Sequence, residues 1–298
     1  MGASWTKHFK QEFSLEKCSP RIRDPQLILR SQWRLHSAIW LFYRIFMATY
    51  TLVWCICSAV QTNTLKWFIF LTHLTYITLT IYFILALVNL ICYITLGQKK
   101  PIQNNKTTTL EEMAGSSSAI PEVESRTPSL GLSTEFYAPP SALYPTICVQ
   151  WVLHNITCAI SLYVTVAFWS FDYSPGKHKL DSININMHVI NSVFVLLELG
   201  LTAAPVHLAH LLYILAYSVS FIIFSAAYWA AGGTNQSGEP FIYSILNYGE
   251  KPAAAAICVI GSICVLLPLF QFLVWNLHFL RRHVLLKLHQ NMGDTLEN

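Results

Sequence analysis

Residues 182–205 read SININMHVINSVFVLLELGLTAAP, and this stretch decides the fold. As a helix it is long enough to cross a bilayer. Yet it carries a histidine, a carboxylate and three asparagines. At about 100° per residue, Asn184, His188, Asn191, Glu198 and Thr202 fall within roughly 80° of one another. Lipid offers such groups no partner, so the stripe must face protein or a water-filled cavity. Two readings follow: polar glue between helices, or an intramembrane functional site.

The rest of the chain supports a membrane setting. Of 298 residues, 54% are hydrophobic and 11% charged, against about 25% charged in a soluble domain. Mean hydropathy is +0.44. Apolar runs at 37–60, 67–96, 146–171, 182–205, 208–231 and 253–279 predict six spans. The expected fold is all-α, a polytopic membrane helical bundle filling 37–279. Residues 1–36 read as a cytosolic N-terminal tail with no apolar leader, and Met1–Thr6 loosely fits a myristoylation pattern. Residues 97–145, rich in Ser, Thr and Pro, read as a disordered cytosolic loop. Residues 232–252 form an outer loop, and 280–298 a cytosolic C-terminal tail.

Charge sets the orientation. With both ends inside, the tails and the 97–145 loop hold fourteen Lys and Arg, and the outer loops hold four. This bias places both termini in the cytosol, in the plasma membrane or the endoplasmic reticulum. The net charge of +4 gives no support for a nucleic-acid partner. Seven of the eight cysteines lie in or beside apolar segments, without zinc-ligand spacing.

Depth relates residues on different spans. Thr72 lies five residues from Trp67, roughly 8 Å into the membrane, and His188 lies six residues from Ser182, roughly 9 Å in. Both spans enter from the same face. A threonine hydroxyl is a weak nucleophile that needs a base within hydrogen-bond reach, and histidine titrates in the right range. Thr75, Thr78 and Thr80 share the composition, but membrane threonines commonly bond their own backbone. Arg44 and Glu198 match in depth at about 10 Å from the inner face, where isolated charges are costly and pairing is expected.

Two motifs carry a resemblance. MHVINSVFVLLEL (Met187–Leu199) and AAYWAAGGTNQSGEPFIYSILNY (Ala226–Tyr248) resemble the Rolling stone family of animal membrane proteins, which is associated with myoblast fusion in flies. More distantly, the layout is similar to the androgen-induced and androgen-dependent threonine hydrolases of fatty acid esters of hydroxy fatty acids. Trp67–Thr72 matches their Trp-x-Phe-Leu-Thr motif with one extra residue. Met187, His188 and Glu198 match their Met-His pair and following glutamate, and Tyr243–Leu246 matches Tyr-Pro-x-Leu with serine for proline. That resemblance implies Thr72 as nucleophile and His188 as base, and Asn191 is a candidate to orient the His188 ring.

Three classes of function are compatible with these residues. The first is an intramembrane Thr/His hydrolase of lipid esters, with membrane lipids as its surroundings and a lipid ester as substrate. The second is a non-enzymatic protein of cell–cell adhesion or fusion, whose short outer loops offer little grip on a partner. The third is a metal or haem site, but His73, His154, His188, His207 and His210 form no HxxxH box and lie at different depths. No cofactor or metal is therefore expected, and no protein partner is readable.

Overall fold

The computed structural model describes residues 9, 12, 15–33, 35–96, 139–175 and 180–297. The myristoylation pattern and most of the 97–145 loop lie outside the described residues. Among these, six helices are long and apolar enough to cross a membrane: α1 (Ser37–Thr62), α2 (Leu71–Leu96), α3 (Ser141–Asp172), α4 (Ser182–Leu201), α5 (Leu208–Ala230) and α6 (Pro252–Leu288). No β-strand occurs among the described residues, and Ser31 and Thr202 form an isolated antiparallel bridge.

Local chemistry sets the helix ends. The His36 ring accepts from the Ala38 amide at the start of α1, and Asn63 closes that helix in the left-handed region at φ 47°. Asp181 accepts from the Asn184 amide at 2.8 Å and caps α4. Pro252 opens α6, where its missing N–H costs nothing. α2 starts at Leu71, later than the apolar run suggests. Leu65–Ile69 forms a 3₁₀ turn and Phe70 is extended, because Trp67 is pinned to α1 by its indole bond to Ser58 at 2.9 Å.

α2 packs between α1 and α3, while α4 packs against α3 and α6. Met47, Leu79, Phe83, Ile160, Val195, Ile214 and Val274 share one continuous core. Phe42, Val60, Ile223 and Ile257 point outward and exposed. In water that would be a liability; against hydrocarbon it costs nothing.

Two bundle ends differ in dress. At one, the loop of residues 231–251 folds over the helices. Gly232 leaves α5 at φ 78°, and Gly233 lies so close to the Tyr228 ring that a Cβ would collide with it. Lys66 ties the loop down, donating to the Thr234 hydroxyl and the Asn235 carbonyl, both at 2.7 Å. At the other end the N-terminal segment is packed rather than free. Ile22, Ile28 and Leu29 are buried with Ile147, Trp151 and Ala204, and Glu12 accepts from the Leu208 amide and meets the His207 ring.

Arg281 does not reach toward headgroups. It is buried and donates to the carbonyls of Leu199, Thr202 and Ala204. It thus supplies partners for the orphan carbonyls at the C-terminus of α4. Trp33 and Gln32 complete that cap through the Gly200 and Leu201 carbonyls.

Candidate functional site

A cavity lies beneath the 231–251 loop, walled by α2, α3, α5, α6 and the loop itself. It holds about 800 Å³ of free space, counting its open mouth. Most of its wall is hydrocarbon and aromatic, including Leu71, Phe168 and Phe221. Thr72, Tyr243 and Asp172 are polar members of the lining.

Thr72 occupies the first turn of α2, where backbone N–H groups have no helical acceptor. The Tyr243 phenol lies close to the Thr72 side chain and to the backbone of Leu71 and Thr72. Burial pushes the Tyr243 phenol well above its ordinary pKa, and its polar neighbours at Thr72 and Leu71 offset only part of the rise. Tyr243 is therefore a neutral hydrogen-bond donor at any working pH, and cannot serve as a base.

His188 is not itself in the lining. Its imidazole lies flat on Phe168, with ring centroids 3.5 Å apart and planes 7° from parallel, and Phe168 forms the wall. The Asn191 side chain is engaged elsewhere: its carbonyl oxygen accepts from the Thr165 hydroxyl at 3.0 Å and from the Ser192 amide. The structure thus brings Thr72 and Tyr243 into contact, and sets His188 one aromatic layer behind the cavity.

Three π-helical stretches gather here. Phe168–Asp172 ends α3, Asn186–Ile190 carries His188, and Ser262–Leu266 interrupts α6. Phe168, Phe171, Asp172 and Ser262 all line the cavity. A π turn distorts the regular backbone ladder and recurs at functional sites.

Arg44 and Glu198 meet elsewhere. Arg44 Nη1 donates to both carboxylate oxygens at 2.9 Å, and Tyr43 and Tyr82 each donate to one oxygen at 2.7 Å. Both charged side chains are 1% exposed. The guanidinium lies 4.3 Å from the Trp40 ring centroid, a cation–π contact. Four donor contacts occupy the carboxylate, so this cluster is organised to hold α1, α2 and α4 together.

Sequence reasoning passed over Asp172 and Ser218 altogether and treated Tyr243 as a motif residue only. Asp172 had a weak signal, as a carboxylate at the end of an apolar run. Tyr243 sat in FIYSIL, a loop segment too apolar to be freely solvated. Nothing in the pattern around Ser218 distinguished it from Ser220 or Ser225.

Six membrane-length helices, a buried ionic cluster and a half-open apolar cavity define a multi-pass integral membrane protein. The sequence model described as "Protein rolling stone" matches residues 141–289. Protein rolling stone of Drosophila melanogaster is 24% identical over 281 residues, covering 93% of this chain and 90% of the relative. The chain belongs to the Rolling stone family. No solved structure matches it.

Proposed function

We propose that this chain is an intramembrane hydrolase of lipid esters, with Thr72 as nucleophile. One observation carries the reading: a threonine hydroxyl at a helix N-terminus, with a tyrosine phenol close by, lines an apolar cavity between membrane spans. A lipid ester reaches the cavity from the bilayer. Thr72 Oγ attacks the acyl carbon, its proton passes to a base, and the alcohol leaves with a proton as acyl-Thr72 forms. Water then releases the fatty acid and restores the hydroxyl. The Tyr243 phenol is the donor suited to the developing oxyanion. His188 is the proposed base and acts once its ring swings clear of Phe168; Asp172 is the carboxylate already in the lining. In this reading the loop end faces outward and both termini are cytosolic.

A non-catalytic role in cell–cell adhesion or fusion is favoured by one observation, that His188 lies on Phe168 rather than beside Thr72. Purified protein treated with a fluorophosphonate probe separates the two. Labelling and ester hydrolysis that vanish in Thr72→Ala but persist in Thr75→Ala and Thr78→Ala support the hydrolase. Wild type that neither labels nor hydrolyses lipid esters supports the fusion or adhesion role.

A further inference from the structure

α2 and α5 both pack on α3 but leave a groove between themselves. It holds about 590 Å³ of free space, counting its open mouth. Ile77 of α2 and Phe221 and Phe224 of α5 supply hydrocarbon to its walls, and Thr78, Tyr217 and Ser220 are polar members. Each of these three hydroxyls is already bonded within the protein. Thr78 donates to the Leu74 carbonyl at 2.8 Å, and Ser220 to the Ala216 carbonyl at 2.8 Å, the ordinary way such groups satisfy themselves in a membrane helix. With the Thr78 proton committed, the Tyr217 phenol is the donor in its 3.3 Å contact with Thr78. That bond spans the groove from α5 to α2. What the groove offers a ligand is therefore hydrocarbon.

Its depth matches that chemistry. Phe221 is nine residues from Ala230, at the loop end of α5, and Tyr217 is thirteen, so they sit roughly 14 and 20 Å below that end. A hydrocarbon core is about 30 Å thick, which puts both near its middle and away from headgroups. Ile223, next to Phe224, and Ile81, one turn from Thr78, are exposed, so the mouth opens on the lipid-facing surface. A helix is 10–12 Å across with its side chains and would lie on this groove rather than in it. A single hydrocarbon chain lies inside.

Phe221 also lines the cavity that holds Thr72. One side chain thus separates groove from cavity, with free space on both sides of it. Its ring neighbours are Phe224 and Tyr243, with centroids 6.3 and 6.4 Å away. A turn of Phe221 between staggered rotamers joins the two spaces.

We infer that the groove between α2 and α5 is a side port that takes one hydrocarbon chain of a bilayer lipid, and that Phe221 is the side chain that admits this chain to the cavity. The Tyr217–Thr78 bond holds the port narrow on the turn below Phe221. The use of the port as a substrate route rests on the hydrolase reading; the passage of a chain does not. A mouth at this depth admits the tail of a lipid and not its headgroup, because a polar group taken there would find no partner.

Photocross-linking of the purified full-length protein in phosphatidylcholine vesicles tests this. The probe is a trace of phosphatidylcholine carrying a diazirine midway along one acyl chain. In wild type, adducts should map to Ile222 and Val259 in the cavity wall as well as to the exposed Ile257. Ser220 is exposed at the rim of the groove, so Ser220→Trp places an indole in the port. It should bring cavity adducts down to background and leave those at Ile257 unchanged, which also reports an intact fold. Tyr217→Phe keeps the ring and removes the bond across the groove. It should raise cavity adducts about 5-fold, the population shift set by one hydrogen bond. Cavity adducts that are absent in wild type, or that ignore both substitutions, overturn the inference. Thr72-dependent ester hydrolysis alongside such indifferent adducts removes the port alone. Adducts that respond to both substitutions in a protein that never hydrolyses an ester uphold the port and remove the hydrolase reading alone.

Discussion

Arg44 on α1 and Glu198 on α4 are joined by a doubly shared hydrogen bond, with Arg44 Nη1 at 2.9 Å from each oxygen of a carboxylate that is 1% exposed. Tyr43 and Tyr82 close the remaining acceptor positions at 2.7 Å. Such a cluster adds little net stability over a hydrophobic equivalent, but breaking it is severe, because the surviving charge is stranded in low dielectric.

Arg44→Leu and Glu198→Leu should therefore each destabilise the protein by about 3–5 kcal/mol. The double variant should recover part of that loss. Thermal unfolding in detergent reads both effects. If the two single losses simply add, the charges are not energetically coupled.

Tyr243→Phe removes the phenol that lies close to Thr72 while keeping the ring that packs against Phe70 and Phe221. Stability should fall by only about 1 kcal/mol. Fluorophosphonate labelling and ester turnover should fall about 100-fold, the usual cost of one oxyanion donor. A variant that labels at the wild-type rate would show that the phenol does not act on Thr72.

The N-terminal segment should come loose in acid. Burial works to raise the Glu12 pKa, but the His207 ring and the Leu208 amide outweigh it and hold the carboxyl below its ordinary value. A depressed carboxylate contributes stability that is fully present above the ordinary carboxylate range and is lost as pH falls through the lowered value. Protection of residues 15–33 against hydrogen exchange, corrected for the intrinsic rate at each pH, should be high at neutral pH and lost below the ordinary carboxylate range. Glu12→Gln should show fast exchange at both. Protection that ignores both pH and the substitution would mean that the Glu12 carboxylate does not hold the segment.

Topology is best read by cysteine labelling. The Asn235–Ser237 sequon lies on the predicted outer side, but the Asn235 side chain is buried and accepts from the Ser237 and Glu239 amides. A glycan is not expected there. Ser237 is exposed. In intact cells, Ser237→Cys should react with an impermeant maleimide, and a cysteine appended to the C-terminus should react only after permeabilisation. The opposite pattern would invert the orientation drawn from the fourteen-to-four charge bias.

What the sequence determined by itself was everything that depends on length, polarity and helical period. A run of apolar residues long enough to cross hydrocarbon must be helical there, because its backbone has no other way to pair its polar groups. That made six spans legible, and it made a stripe of polar groups on the fourth stand out. Equal depth for Arg44 and Glu198 was also legible, since depth follows from counting residues along each helix. Lateral position was not, because it is set by which helix packs against which. Only the tertiary structure decided that Thr72 meets Tyr243 rather than His188, whose ring lies on Phe168. Only the tertiary structure turned Arg281 inward to cap α4. Three π turns shift the local helical register, so period counting cannot carry side-chain directions through them. Ser218 shows the limit most plainly: three serines on one helix read alike in sequence, and only the cavity beside Ser218 sets it apart.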